Sequence, residues 1–245
     1  MASIQLRLTS CLNSVIQSFR ENPFDFLYEI ELQATLYSDL KKTITETIEA
    51  PVVIHRNKIG KEWVPINLIR MEYPGVTKTG GLFDIAVIHP DSKRKASMEE
   101  NYENDAFWNQ NLLGVVEIKY CLIGYNLNRT LKSFWQDIKK LKEYHNPEKE
   151  FTIQFRLALL FIQLFDESMH SIISRYLERN ELKCRIVTGI NEVCGIEAYI
   201  ISQPTIFKIE GLNWRKILAI TSNFKNCFRL KNLGSDLKIG VPSEG

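Results

Sequence analysis

The chain has no CxxC pair, no histidine cluster and no long apolar run, and each absence removes a class of protein. Its five cysteines (Cys11, Cys121, Cys184, Cys194, Cys227) and four histidines (His55, His89, His145, His170) are scattered, so the ligand spacing of a structural zinc site is missing. An odd cysteine count without a secretory signal points to a reducing cytosol rather than a disulfide scaffold. The first twenty residues carry Arg7 and other polar side chains inside their apolar pattern, unlike the core of a signal peptide. No segment approaches the roughly 18 uninterrupted apolar residues of a membrane span, so a cytoplasmic location and no membrane partner are expected. A strong charge of one sign is also lacking. The formal net charge is only +2, which excludes a histone-like binder but not a nucleic-acid enzyme, whose positive charge is local and whose metal needs acids.

What is present is ample material for a core. With 245 residues and 44% hydrophobic side chains, the chain fits one large α/β domain, or a core with a smaller appendage. Residues 2–20 read as an amphipathic helix and 24–49 as a longer helical pattern, with Leu27, Ile30, Ala34 and Tyr37 at helical spacing. Short β-like runs at Val52–His55 and Ile66–Tyr73 surround a Gly60 turn, and Gly80-Gly81 precedes a strand at 83–89. Residues 90–111 are charged and read as an inserted loop. A strand at 113–120, a helix at 128–145, a buried strand over Phe155–Leu164 and a helix at 167–180 follow. Cys184–Thr188 and Ala198–Ser202 resemble strands around a Gly195 turn. The expected organisation is an α/β core over 1–202, a central mixed sheet flanked by helices, followed by a basic elaboration and tail over 203–245.

Within that pattern, Glu117-Ile118-Lys119 stands out. Residues two apart on a strand share a face, so Glu117 and Lys119 project together while Val116 and Ile118 serve the core. A carboxylate and an ammonium on a buried strand need partners, because unpaired buried charge is costly. Asp84 supplies a second acid on the neighbouring apolar segment, although a turn-bonded strand start would explain it too. A helical wheel, at about 100° per residue, turns Glu29 and Gln33 into the apolar arc of the preceding helix and Glu31 to its polar face. An ExK tripeptide alone is weak, since about one is expected by chance in a chain of this length and composition. Two acids and a lysine on neighbouring strands suggest a hard metal ion and an activated water.

The set Glu29, Asp84, Glu117-Ile118-Lys119 resembles the PD-(D/E)xK nuclease superfamily, the restriction-endonuclease-like fold. Its usual order of helix, three strands, helix and strand matches about 24–165 here. The resemblance implies a metal-dependent nuclease acting on a nucleic acid, with DNA the expected target. Asp84, Glu117 and the Ile118 carbonyl would be ligands to Mg²⁺ or Mn²⁺, Lys119 would position or activate the water, and Glu29 would be the helix acid. Phe83 replaces the motif proline, and the charged insertion makes the Asp84–Glu117 separation long.

On the following helix, Leu131, Phe134, Ile138 and Leu141 form the buried stripe and leave Gln136 and Lys140 largely outward. Similar families place a glutamine or lysine near substrate here, so Gln33, Gln136 and Lys140 are candidates to support the metal or touch substrate. A solvated helix face is nevertheless the preferred explanation of Gln136 and Lys140. Beyond 203, Lys208, Arg215, Lys216, Lys225, Arg229, Lys231 and Lys238 interleave with Trp214, Phe224 and Phe228, a composition suited to phosphates and bases or to a packed basic helix. Glu72 is a further candidate for the cleft or for solvent. The competing class is a non-catalytic nucleic-acid-binding or scaffold module that retains the fold. Absence of a recognisable DNA-reading domain fits action in a homodimer or in a larger defence or mobile-element assembly.

Overall fold

A computed structural model describes residues 3–55, 58–74, 81–92, 110–164, 166–191, 193–203 and 205–212. Helix α1 (Ile4–Glu21) starts at Ser3, whose Oγ accepts from the Leu6 amide, and a 3₁₀ turn (Pro23–Asp25) leads into α2 (Glu29–Thr43). Strands β1 (Thr47–His55) and β2 (Lys58–Asn67) pair antiparallel as a separate two-stranded sheet. The main sheet contains β3 (Ile69–Pro74), β4 (Leu82–Ile88), β5 (Leu112–Cys121), β6 (Phe155–Ile162), β7 (Lys183–Val187), β8 (Gly195–Ser202) and β9 (Ile206–Glu210). Helix α3 (Leu127–Glu143) links β5 to β6, and α4 (Glu167–Arg179) follows β6.

The main sheet has seven strands in the order β3-β4-β5-β6-β8-β9-β7. Its centre, β5-β6-β8, is parallel, and both flanks are antiparallel. The protein is therefore α/β with a mixed sheet, and the near-continuous apolar sequence of β6 is that of a strand covered on both faces. On one face Phe19 of α1 meets Phe161 and Tyr120 edge-on, with ring centroids 5.0 and 6.2 Å apart. On the other, Trp135 of α3 stacks on Tyr176 of α4 at 5.9 Å. Because Tyr120 packs under α1, alternation along β5 turns Glu117 and Lys119 towards α3.

Several boundaries differ from the sequence reading. The helical pattern at 24–49 resolves into the 3₁₀ turn, α2 and the start of β1. Glu31 sets the helix start by accepting from the Leu27 and Tyr28 amides at 2.5 and 3.0 Å, an N-terminal capping arrangement. The buried face of α2 is Leu32, Gln33, Leu36 and Leu40, whereas Leu27, Ile30 and Ala34 are exposed. Gly60 lies within β2 rather than at a turn. Strands β7 and β8 are not neighbours, since β9 runs between them. The sheet thus continues past residue 202, and Lys208 pairs with the buried Glu197. The middle of the charged insertion, 93–109, and the basic stretch from 213 lie outside the described residues.

Strand β5 can lie close to β6 because position 114 has no side chain. A Cβ at Gly114 would come within 2.1 Å of the Phe155 ring, which is fully buried and has nowhere to go. Gly114→Ala is expected to destabilise the fold by about 1–3 kcal/mol through overpacking, read as a lower urea midpoint at unchanged slope.

Candidate functional site

The chemistry-bearing residues gather towards the C-terminal end of β5, beside the parallel centre of the sheet, where open α/β sheets commonly place ligands. The last register pair between β4 and β5 is Ile85 with Val116. Just beyond it the Ile118 amide donates to Asp84 Oδ2 at 2.5 Å, so a side chain rather than a carbonyl takes that amide. Across β3 the bracketing pairs are Met71–Ile85 and Tyr73–Phe83, and the intervening Glu72 holds a left-handed backbone with φ 52°. A non-glycine residue in that region is locally strained. Glu72 itself is exposed.

Lys119 is held from three sides. Its ammonium donates to Glu29 Oε1 and to the Ile118 carbonyl, both at 3.1 Å, and lies 3.3 Å from Asp137 Oδ2. The second oxygen of Glu29 accepts from the Tyr120 amide at 3.2 Å. Lys140 comes from the same face of α3 as Asp137. Its ammonium is 2.5 Å from Glu117 Oε1 and 3.9 Å from Asp137 Oδ1, donates to the Leu82 carbonyl at 2.8 Å, and sits 5.3 Å over the Phe83 ring. Glu117 Oε1 and Asp137 Oδ2 are thus each paired with an ammonium inside the fold.

Burial sets the electrostatics. Only 2% of Glu117 and 7% of Asp84 is exposed. Desolvation pushes the Asp84 carboxyl up to about 7 although Lys119 and the Ile118 amide pull it down. Burial, then the charges of Asp84 and Asp137, raises Glu117 well above the ordinary carboxylate range despite Lys140. Asp137 is raised by burial and held back by Lys119 and Lys140. For Lys119, burial works to lower the affinity for its proton, but Asp137, Asp84 and Glu29 together outweigh it and raise it. Lys119 is thus a permanent cation at neutral pH.

Four residues expected from sequence, Glu29, Asp84, Glu117 and Lys119, therefore share one charged cluster, and the Ile118 carbonyl faces into it. Gln33 is buried one turn beyond Glu29, with its Oε1 unpartnered among the described residues. Gln136 is exposed and makes none of these contacts. Lys140 was expected to face outward and instead points in, because Asp137 and Tyr144, three and four residues away on the helix, lie on its inward side. Asp137 was not among the candidate site residues. The signal was its place three residues after Phe134 and four before Leu141, beside the apolar stripe.

The donor set fits a hard cation in chemistry: nearly buried carboxylates and a strand carbonyl, all oxygen. Among the described residues, however, no three acidic, histidine or cysteine side chains converge closely enough to hold an ion as they stand. The two lysines lie between them. A cavity of about 630 Å³ lies elsewhere, between α1 and the segment after β7, lined by Asn13, Arg20, Gly189, Ile190 and Gln203, and none of the four acids borders it. No helix among the described residues is long and apolar enough to cross a membrane. No family model, curated protein or solved structure matches the chain.

The buried acids predict a pH dependence. Asp84 holds its proton more tightly when folded than when unfolded, so the stability this provides is present below about pH 4 and is lost as pH rises through about 7. Glu117 and Asp137, also raised, add with the same sign. Urea denaturation without divalent ions should show stability falling across that window, by up to about 4 kcal/mol from Asp84, and Asp84→Asn should flatten the slope.

Proposed function

We propose that this chain is a divalent-metal-dependent nuclease of the restriction-endonuclease-like type, hydrolysing phosphodiester bonds, with DNA as the target. The observation that carries the proposal is a surplus of acids over cations. Among the described residues Glu29, Asp84, Glu117 and Asp137 face Lys119 and Lys140, and burial makes Asp84, Glu117 and Asp137 hold their protons more tightly than free carboxyls. A structural ion network needs no such surplus of acids that are costly to ionise. A divalent cation would favour their ionised forms. The order α2, β3, β4, β5, α3, β6, with β1 and β2 inserted, is also the order the resemblance implies.

In this reading Asp84, Glu117 and the Ile118 carbonyl hold the ion, and Asp137 is the nearest additional acid. A bound Mg²⁺ or Mn²⁺ supplies charge neutralisation at the phosphorus centre and a water acidified towards neutral pH. Lys119, kept cationic by its acid neighbours, orients an attacking water or a phosphate oxygen by donating a hydrogen bond. It does not remove the proton. Glu29 and Asp137 fix the direction of that donation by gripping the ammonium from opposite sides. Burial of Glu117 and Asp84 keeps bulk water from screening these charges, which strengthens each of them.

One observation favours the second reading, a nucleic-acid-binding or scaffold module with this fold. Lys140 already lies on Glu117 and Lys119 already donates to the Ile118 carbonyl, as in a site that never takes an ion. Cleavage of mixed single- and double-stranded DNA separates the two. We expect Mg²⁺- or Mn²⁺-dependent hydrolysis, reduced at least about a hundredfold in Asp84→Ala and Lys119→Ala with folding intact. No cleavage by the unaltered protein, together with no metal binding by calorimetry, would favour the binding module instead.

A further inference from the structure

We infer that Lys140 competes with the divalent cation for Glu117: its ammonium rests on Glu117, Asp137 and the Leu82 carbonyl, and an ion held by Asp84, Glu117 and the Ile118 carbonyl would free it towards substrate phosphate. This inference rests on the nuclease reading and adds a role for a residue that reading does not itself require.

The oxygens around the Lys140 ammonium come from β5, α3 and the start of β4, at 2.5, 3.9 and 2.8 Å. The shortest of these contacts is the one to Glu117. Glu117 is all but fully buried. Without a cation beside it, its carboxylate would be an uncompensated buried charge, among the costliest defects a fold can carry. Lys140 removes that cost in the ion-free protein.

Lys119 and Lys140 differ in how they are held. Lys119 is gripped by Glu29, Asp137 and the neighbouring carbonyl, and it stays in place when the cluster fills. Lys140 lies on a flexible four-carbon stem, and the Phe83 ring lies 5.3 Å beneath its ammonium. An aromatic face gives a withdrawing cation a favourable surface. A divalent ion compensates Glu117 with twice the charge of the ammonium it displaces. The released ammonium then becomes available to a phosphate, where a lysine acts as a mobile point charge.

Two measurements on the full chain test this. The first uses the unaltered protein: acylation of lysine amines read by mass spectrometry, with Lys139 and Lys142 as internal references, with and without Mn²⁺. We expect Lys140 to become several-fold more reactive with Mn²⁺ while the references stay constant. Unchanged or lower reactivity in protein that binds Mn²⁺ would overturn the displacement. The second is calorimetric titration of Mn²⁺ into the unaltered protein, Lys140→Met and Lys140→Arg. Lys140→Met should bind at least about tenfold more tightly, since a competing charge is gone, and Lys140→Arg should not. Equal or weaker binding by Lys140→Met overturns the displacement and leaves the metal reading standing. Absence of Mn²⁺ binding in all three proteins overturns both. Should Lys140→Met fail to fold, the labelling of the unaltered protein decides alone.

Discussion

An ammonium wedged between two carboxylates, Lys119 between Glu29 and Asp137, joins the three parts of this site. Glu29 opens α2, Asp137 lies in the middle of α3, and Lys119 is on β5 between them. The two helices reach the end of this strand from different directions, and charge brings them together where apolar packing alone would leave the acids unsatisfied. Removing the lysine would leave several carboxylates without compensation in a poorly hydrated place, so its presence conditions every other group nearby. The Tyr120 amide, held by the other oxygen of Glu29, locks the strand to the same joint. Lys119 held in this way has its position set before any ligand arrives, which is the requirement for a positioned charge to act on a reaction.

The second constraint is that β5 must be a core strand and a charged strand at once. One face supplies Val116, Ile118 and Tyr120 to the layer under α1, while the other carries Glu117 and Lys119 beneath α3. Gly114 lets the strand approach Phe155. Ala158, the register partner of Glu117 on β6, adds little bulk beside the carboxylate. Asp84 uses an oxygen to take the Ile118 amide, so an acid of the cluster also completes backbone hydrogen bonding. Such double use explains why so much charge is tolerated: each group replaces an interaction the sheet or helix would otherwise need. What it does not remove is the cost of ionising Asp84, Glu117 and Asp137, whose burial makes each hold its proton more tightly.

Much of this could be read from the chain itself. The alternation around Glu117 and Lys119 and the apolar run of β6 follow from strand periodicity, and the wheel of α2 turned Glu29 and Gln33 inward while leaving Glu31 outside. The structure gives Glu31 a use: it caps the helix, which is why α2 begins at Glu29 and not at Phe24. The helix ends early because the residues after Thr43 enter a strand whose partner, β2, is supplied by later sequence, a pairing that local propensity cannot register. Lys140 was misjudged for a related reason. A wheel gives a helix one apolar stripe, but it cannot show that the layer beside the stripe is a strand edge bearing opposite charges, and inward polar residues there look like solvent-facing ones. The position of β9 between β8 and β7 was equally hidden, being a matter of sheet order rather than of composition.

The central claim is that this cluster is completed by a divalent cation, and anomalous diffraction from a crystal soaked in Mn²⁺ tests it most directly. We expect one anomalous peak bounded by Asp84, Glu117 and the Ile118 carbonyl, with Lys119 still between Glu29 and Asp137. A well-ordered site with no peak, and with Lys140 still seated on Glu117 at saturating Mn²⁺, would contradict it and leave the acids and lysines as a structural network.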